Sequence, residues 1–159
     1  MKHINNNTGL ALCVGVLLLL CVSSILRPIR FQREQARRET VVKQRLLAIR
    51  AAEERYKIIH GTYAADFRTL TAERLLADSL QYIPFTDHKR FHLEATVQLG
   101  RNGRSIPLME CSATYHDYLG DLDANAVNVL VEEASASGHF PGLKFGDISE
   151  PNANAASWE

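Results

Sequence analysis

VVKQRLLAIRAAEERYKIIHGTY, residues 41–63, decides the fold of this chain. Within it Val42, Leu46, Ile49, Ala52, Tyr56, Ile59 and Tyr63 recur at steps of 4, 3, 3, 4, 3 and 4. An α-helix gathers side chains at that spacing into one apolar stripe. Lys43, Arg45, Arg50, Glu53, Glu54, Arg55 and Lys57 fall between them and read as a solvated face. Glu53 and Lys57 form an i,i+4 pair worth roughly a few tenths of a kcal/mol. Gly61 stands where a left-handed residue closes a helix. The helical pattern reaches back to residue 31, so a helix over 31–59 presents a stripe that another layer has to cover.

Upstream lies GLALCVGVLLLLCVSSIL, residues 9–26, without a single charge. As a helix it measures about 27 Å, the short end of what crosses a hydrocarbon core. A cleaved secretory signal has an apolar centre of about 7–15 residues and a small-x-small cleavage site. This run is longer and leads into Ser23-Ser24-Ile25-Leu26-Arg27-Pro28. A lipoprotein acylated at Cys21 expects a small residue before it, and Leu18, Leu19 and Leu20 precede it. The sequence therefore reads as a short tail over 1–8, an uncleaved single-pass anchor over 9–26 and a free-standing polar stalk over 27–41. At Pro28 the helix is either kinked or restarted.

Lys+Arg and Asp+Glu both number 18, and a balanced chain argues against nucleic acid as a partner. The balance is local nowhere: residues 1–60 hold 11 basic against 4 acidic side chains, and residues 121–159 hold 1 against 7. Arg27, Arg30, Arg33, Arg37 and Arg38 follow the span while only Lys2 precedes it. The positive-inside rule alone leaves the C-terminal domain in the cytoplasm. A short Lys-bearing leader before an apolar run instead starts an exported domain.

Downstream, Asp66 or Thr71 caps a short helix running through residues 70–76. The period then changes to two. Residues 81–85 read as a short strand and 86–89 as a turn. Residues 90–99 alternate Phe91, Leu93, Ala95, Val97 and Leu99 against polar neighbours, a half-buried antiparallel strand. Residues 100–104 form a turn and 106–115 the return strand. Asp123 caps a helix over 124–137, with Val127, Leu130, Val131 and Ala134 inward and Gly138 as its stop. A last strand covers 143–148. The predicted class is α+β: the long amphipathic helix packed on a small antiparallel sheet, with one further helix.

An apolar N-terminal helix that continues as an amphipathic helix packed on a small antiparallel sheet resembles type IV pilins and type II secretion pseudopilins. AIRAAEERYKIIHGTYAADFRTL (48–70) is similar to the pseudopilin run that ends the first helix. ADSLQYIPFTDHKRFHLEA (77–95) and FPGLKFGDISEPNANAASWE (140–159) resemble a family of single-pass envelope proteins from Bacteroidota. The resemblance implies a pilin-like domain over 42–159 and an inner-membrane protein with its C-terminal domain in the periplasm. It implies a structural or protein-interaction role, with the lipid bilayer, other envelope proteins or further copies meeting the N-terminal helix. Pilins carry Glu at the fifth position after their leader Gly; here Gly9 is followed by Leu10 and that position is Val14. The likeness is therefore one of shape, not of the pilus-assembly determinant.

Asp121, Asp123, Asn125 and Glu132 match positions 1, 3, 5 and 12 of a calcium loop, and some pseudopilins bind calcium. Position six is Ala126, where the sharp turn requires Gly, and residues 126–131 read as helix. Capping and the helix dipole account for the two aspartates without a metal. His88 and His92 are four apart, but in a turn and a strand. Cys13 and Cys21 lie in the span, so Cys111 reads as a small core residue. No Gly-x-Ser-x-Gly, phosphate loop or dinucleotide fingerprint occurs, and the sequence implies no cofactor and no catalytic activity. Two other readings stand beside the envelope one: a cytoplasm-facing, membrane-tethered adaptor, and a metal-responsive sensor built on Asp121, Asp123, Asn125 and Glu132.

Overall fold

A computed structural model of the chain describes residues 6–100 and 103–159, leaving tail residues 1–5 and the turn residues Arg101 and Asn102 outside it. The chain divides into two units, Met1–Ala36 and Arg37–Glu159, and helix α1 (Asn6–His60) contributes to both. Pro28 lies inside α1, so the helix is not restarted there. In the first unit the segment beginning at Gly9 is long and apolar enough to cross a membrane, and none of it is buried within the chain. Leu10, Leu12, Val14, Val16 and residues 17–20 all stand exposed.

The second unit is α+β. After α1 come α2 (Phe67–Ala72), a 3₁₀ helix (Asp78–Gln81), β1 (His92–Leu99), β2 (Ser105–Thr114), α3 (Tyr115–Leu119), α4 (Ala124–Ala136) and β3 (Gly142–Gly146). The strands form one antiparallel sheet in the order β1–β2–β3. Leu93, Cys111 and Phe145 are aligned across it, with Ala95 opposite Met109 and Ala113 opposite Leu143. Because successive side chains alternate faces, these residues share one apolar surface. Met109, Cys111, Ala113, Leu143 and Phe145 on this surface are all buried, so this is the face turned to the core.

Val42, Leu46, Ile49 and Ala52 of α1 are buried, as the stripe requires. The stripe fades at the helix end: Tyr56 is half-buried and stacked on His60, and Ile59 is 64% exposed. There the chain reverses through Gly61 at φ 76°, and Tyr63, Ala64 and Phe67 return to the core. Of the four apolar positions expected to point inward from α4, only Val127 is buried; Leu130, Val131 and Ala134 are half-buried.

The outer edge of β3 is closed by the C-terminal tail. Phe145 bridges Ala156, Gly146 N–H donates to the Ala155 carbonyl at 3.0 Å, and Ser157 N–H donates to the Lys144 carbonyl at 2.8 Å. Gly146 sits at φ 75°, and a Cβ there would lie 2.1 Å from the Met109 carbonyl oxygen, so no other residue fits.

Several expectations need correction, among them the short helix, which Asp66 caps and which runs over Phe67–Ala72 instead of 70–76. Residues 81–85 are not a strand: Pro84 has no N–H, Phe85 turns at φ 65°, and pairing is limited to the Tyr82–Arg90 bridge. The sheet is joined by more than one further helix, since Tyr115 opens α3 instead of ending β2. A capping box causes this: Asp117 accepts from Thr114 N–H while the Thr114 side chain accepts from the backbone of the first turn. The last strand stops at Gly146, whose positive φ turns the chain away from the ladder. Arg38, expected to stand free in the polar stalk, is buried in the second unit.

Leu46→Ala, which empties a buried position, is expected to cost about 2–5 kcal/mol in urea unfolding of the detergent-solubilised chain. Leu47→Ala, one residue along on the half-exposed side, is expected to change stability by less than about 1 kcal/mol.

Candidate functional site

Three arginines of α1 each hold a different distant segment. Arg38 grips the α3–α4 connection: its guanidinium makes a bidentate pair with Asp121, with Nη2 donating to Oδ2 at 2.9 Å. Nη1 also donates to the Tyr118 carbonyl at 2.9 Å, and the group lies 4.8 Å from the Phe85 ring centroid. Arg45 Nη1 donates to the carbonyls of Tyr82 and Ser79. Arg50 Nη1 donates to the Asn154 carbonyl at 3.2 Å and pairs with Glu159 at 3.0 Å. Arginine suits this work because its planar fork serves several acceptors at once. Arg45 and Arg50 were expected on a solvated face; they are half-buried loop ties.

The four candidate metal ligands serve separate local tasks. The Asp121 carboxylate is bound by Arg38, a hydrogen bond that holds its pKa below the usual range. Asp123 caps α4, accepting from the N–H groups of Asn125 and Ala126 at 3.0 and 3.3 Å. Asn125 lies in the first turn of α4, and Glu132 is seven residues further along the same helix, a rise of about 10 Å. Among the described residues no group of three or more His, Cys, Asp or Glu side chains is placed to hold a metal ion. Of the histidines, His60 meets Glu73 at 2.9 Å, His92 meets Glu94 at 3.6 Å, and His88 stands edge-on to Tyr82. Lys89, expected at a solvated turn tip, pairs with Asp117 of the α3 capping box.

Glu53 departs furthest from its sequence reading. It is fully buried rather than paired with Lys57, whose ammonium instead donates to the Tyr63 hydroxyl at 3.1 Å. Its Oε2 accepts from Ala64 N–H at 2.9 Å, tying the helix to the chain that returns after Gly61. Its Oε1 has no hydrogen-bond partner among the described residues. Burial pushes the carboxyl up to about 7, against the lowering effect of the Ala64 bond. Burial likewise holds the neighbouring Cys111 thiol in its neutral form. The spacing does carry a sign of this: Glu53 is four residues after Ile49 and seven after Leu46, inside the stripe, and only its charge suggests solvent.

A groove of about 890 Å³ runs between α4 and the C-terminal tail, lined by Lys43, Tyr115, Leu130, Phe140, Lys144 and Trp158 among others. Lys43 lies 5.7 Å from the Trp158 ring centroid and 3.6 Å from Glu39. Lys144 lies 5.8 Å from Phe140 and is held by Glu110 and Asp147 at 2.9 and 3.5 Å. The groove thus offers aromatic and aliphatic walls with lysines already engaged by carboxylates. The chain matches no protein family model, no curated protein and no solved structure.

Two outcomes follow for the second unit. Arg38→Ala leaves the buried Tyr118 carbonyl without its donor, and is expected to cost about 1–3 kcal/mol in urea unfolding. Glu53 gives a pH slope. Its folded carboxyl titrates at about 7 against 4.5 unperturbed, so between those values the folded chain keeps a proton that the unfolded chain releases. Stability therefore falls as pH rises from about 4.5 to 7, by up to roughly 3 kcal/mol, and stays lower above it. In Glu53→Gln that part of the slope is expected to vanish when unfolding free energies are compared at pH 5 and pH 8.

Proposed function

We propose that this chain is a single-pass membrane protein of the bacterial cell envelope whose C-terminal α+β domain acts through structural or protein–protein interaction. The observation that carries the reading is α1 itself. One helix supplies both an exposed apolar segment of membrane-crossing length and the buried stripe of a small domain. That layout is the one resembling type IV pilins and pseudopilins, and it supports a pilin-like domain. Its partners are the bilayer and either other envelope proteins or further copies meeting the N-terminal helix. The reading assigns no catalytic step and no cofactor. Metal sensing is the less favoured reading, since Asp121 and Asp123 are engaged by Arg38 and by the start of α4.

On this reading the anchor lies in the inner membrane and the domain faces the periplasm. Arg27, Arg30 and Arg33 favour the opposite placement, that of a cytoplasm-facing tethered adaptor. Protease added to intact spheroplasts separates the two. Digestion of the domain is the expected result; a domain that survives until the membrane is lysed assigns the adaptor orientation instead.

A further inference from the structure

We infer that Arg27, Arg30 and Arg33 form a binding surface for the phosphate groups of anionic phospholipids, an inference that rests on the anchor reading above. The three are spaced three residues apart on α1, so each trails the last by about 60° around the helix and stands about 4.5 Å further along it. They therefore cover one side of the helix over two turns. All three are exposed, and none makes an ion pair or hydrogen bond among the described residues. No Asp or Glu occurs among residues 6–33, and the first carboxylate, Glu34, stands on the side of the arginines away from the apolar segment, next to Arg33 and one turn beyond Arg30.

Their height along the helix selects the ligand. The apolar segment ends at Leu26, and the polar layer of a bilayer is about 5–8 Å deep on each side. Arg27 and Arg30 fall within that layer, and Arg33, roughly 10 Å beyond Leu26, reaches back into it along its flexible stem. Pro28 supports the same placement. It has no N–H to give to the Ser24 carbonyl four residues earlier, near the end of the apolar segment, where water from the adjoining polar layer can satisfy it. The Ser24 hydroxyl is turned the other way, donating to the Leu20 carbonyl at 2.9 Å. Guanidinium groups bind phosphate oxygens in pairs, which favours an anionic headgroup over a zwitterionic one whose own ammonium competes.

The test uses the full chain reconstituted into vesicles of mixed phosphatidylcholine and phosphatidylglycerol. Spin-labelled forms of each lipid report the fraction held at the protein. The expected preference for phosphatidylglycerol is about fivefold for each arginine engaged, falling to parity in the Arg27→Gln/Arg30→Gln/Arg33→Gln variant and in high salt. Parity in the unaltered chain, or an undiminished preference in the variant, overturns the inference. Complete displacement of the labelled lipid by inorganic phosphate reassigns the arginines to a soluble anion and overturns it also. Alkaline carbonate extraction keeps the two readings apart: release of the chain refutes the anchor itself, whereas retention with parity refutes the headgroup surface alone.

Discussion

Val42, Leu46, Ile49 and Ala52 lie on one side of α1 and must leave water together. Burying each of the larger ones stabilises by about 1.5–3 kcal/mol, a gain that exists only if a second apolar surface is supplied. A helix cannot supply it to itself. The sheet does so with Met109, Cys111, Ala113, Leu143 and Phe145, set on one face by an unbroken antiparallel register. Every other element of the second unit either extends that face or ties down what would otherwise drift from it.

The ties are polar: Arg38 and Arg45 stand within the arc of α1 that holds the stripe, and Arg50 flanks it. Arg38, Arg45 and Arg50 reach residues about 80, 37 and 104 positions away in sequence. Their acceptors are mainly carbonyls of loops that have no ladder of their own. The tail has a further tie, since Asn154 Nδ2 donates to the Tyr63 hydroxyl at 2.7 Å. Such bonds contribute modestly one by one, yet each lost arginine leaves a part-buried carbonyl unsatisfied, and that asymmetry makes them matter. Glu53 is the exception in the set. It is buried with one oxygen satisfied and the other not, and its proton compensates for what geometry leaves open.

Much of the architecture is legible in the chain because periodicity is a local signal. The helix through residues 42–59, the strands β1 and β2 and the capped helix α4 all follow from spacing and from Asp66, Asp123, Gly61 and Gly138. What could not be read depends on partners distant in sequence or on one residue's backbone. Pro84 and Phe85 turn a strand-like run into a bend, and a Thr-x-x-Asp box converts the end of β2 into α3. The destinations of Arg38, Arg45 and Arg50 carry no periodic mark, whereas Glu53 stands at stripe spacing from Leu46 and Ile49 and is disguised only by its charge. The apparent calcium spacing illustrates the converse: the ligand types recur at suitable intervals, but a helix carries Glu132 away from the aspartates.

The closure of β3 by residues 155–157 bears on the order of events during synthesis. The stripe of α1 is made before any strand of the sheet, and β3 follows it by some hundred residues. The tail that seals that strand is last of all. Until β3 is made the apolar side of α1 has only the β1–β2 hairpin to cover it, and the face completed by Leu143 and Phe145 is missing. A ribosome stalled before residue 142 would carry a sheet of two strands whose second edge, the one β3 takes, is open.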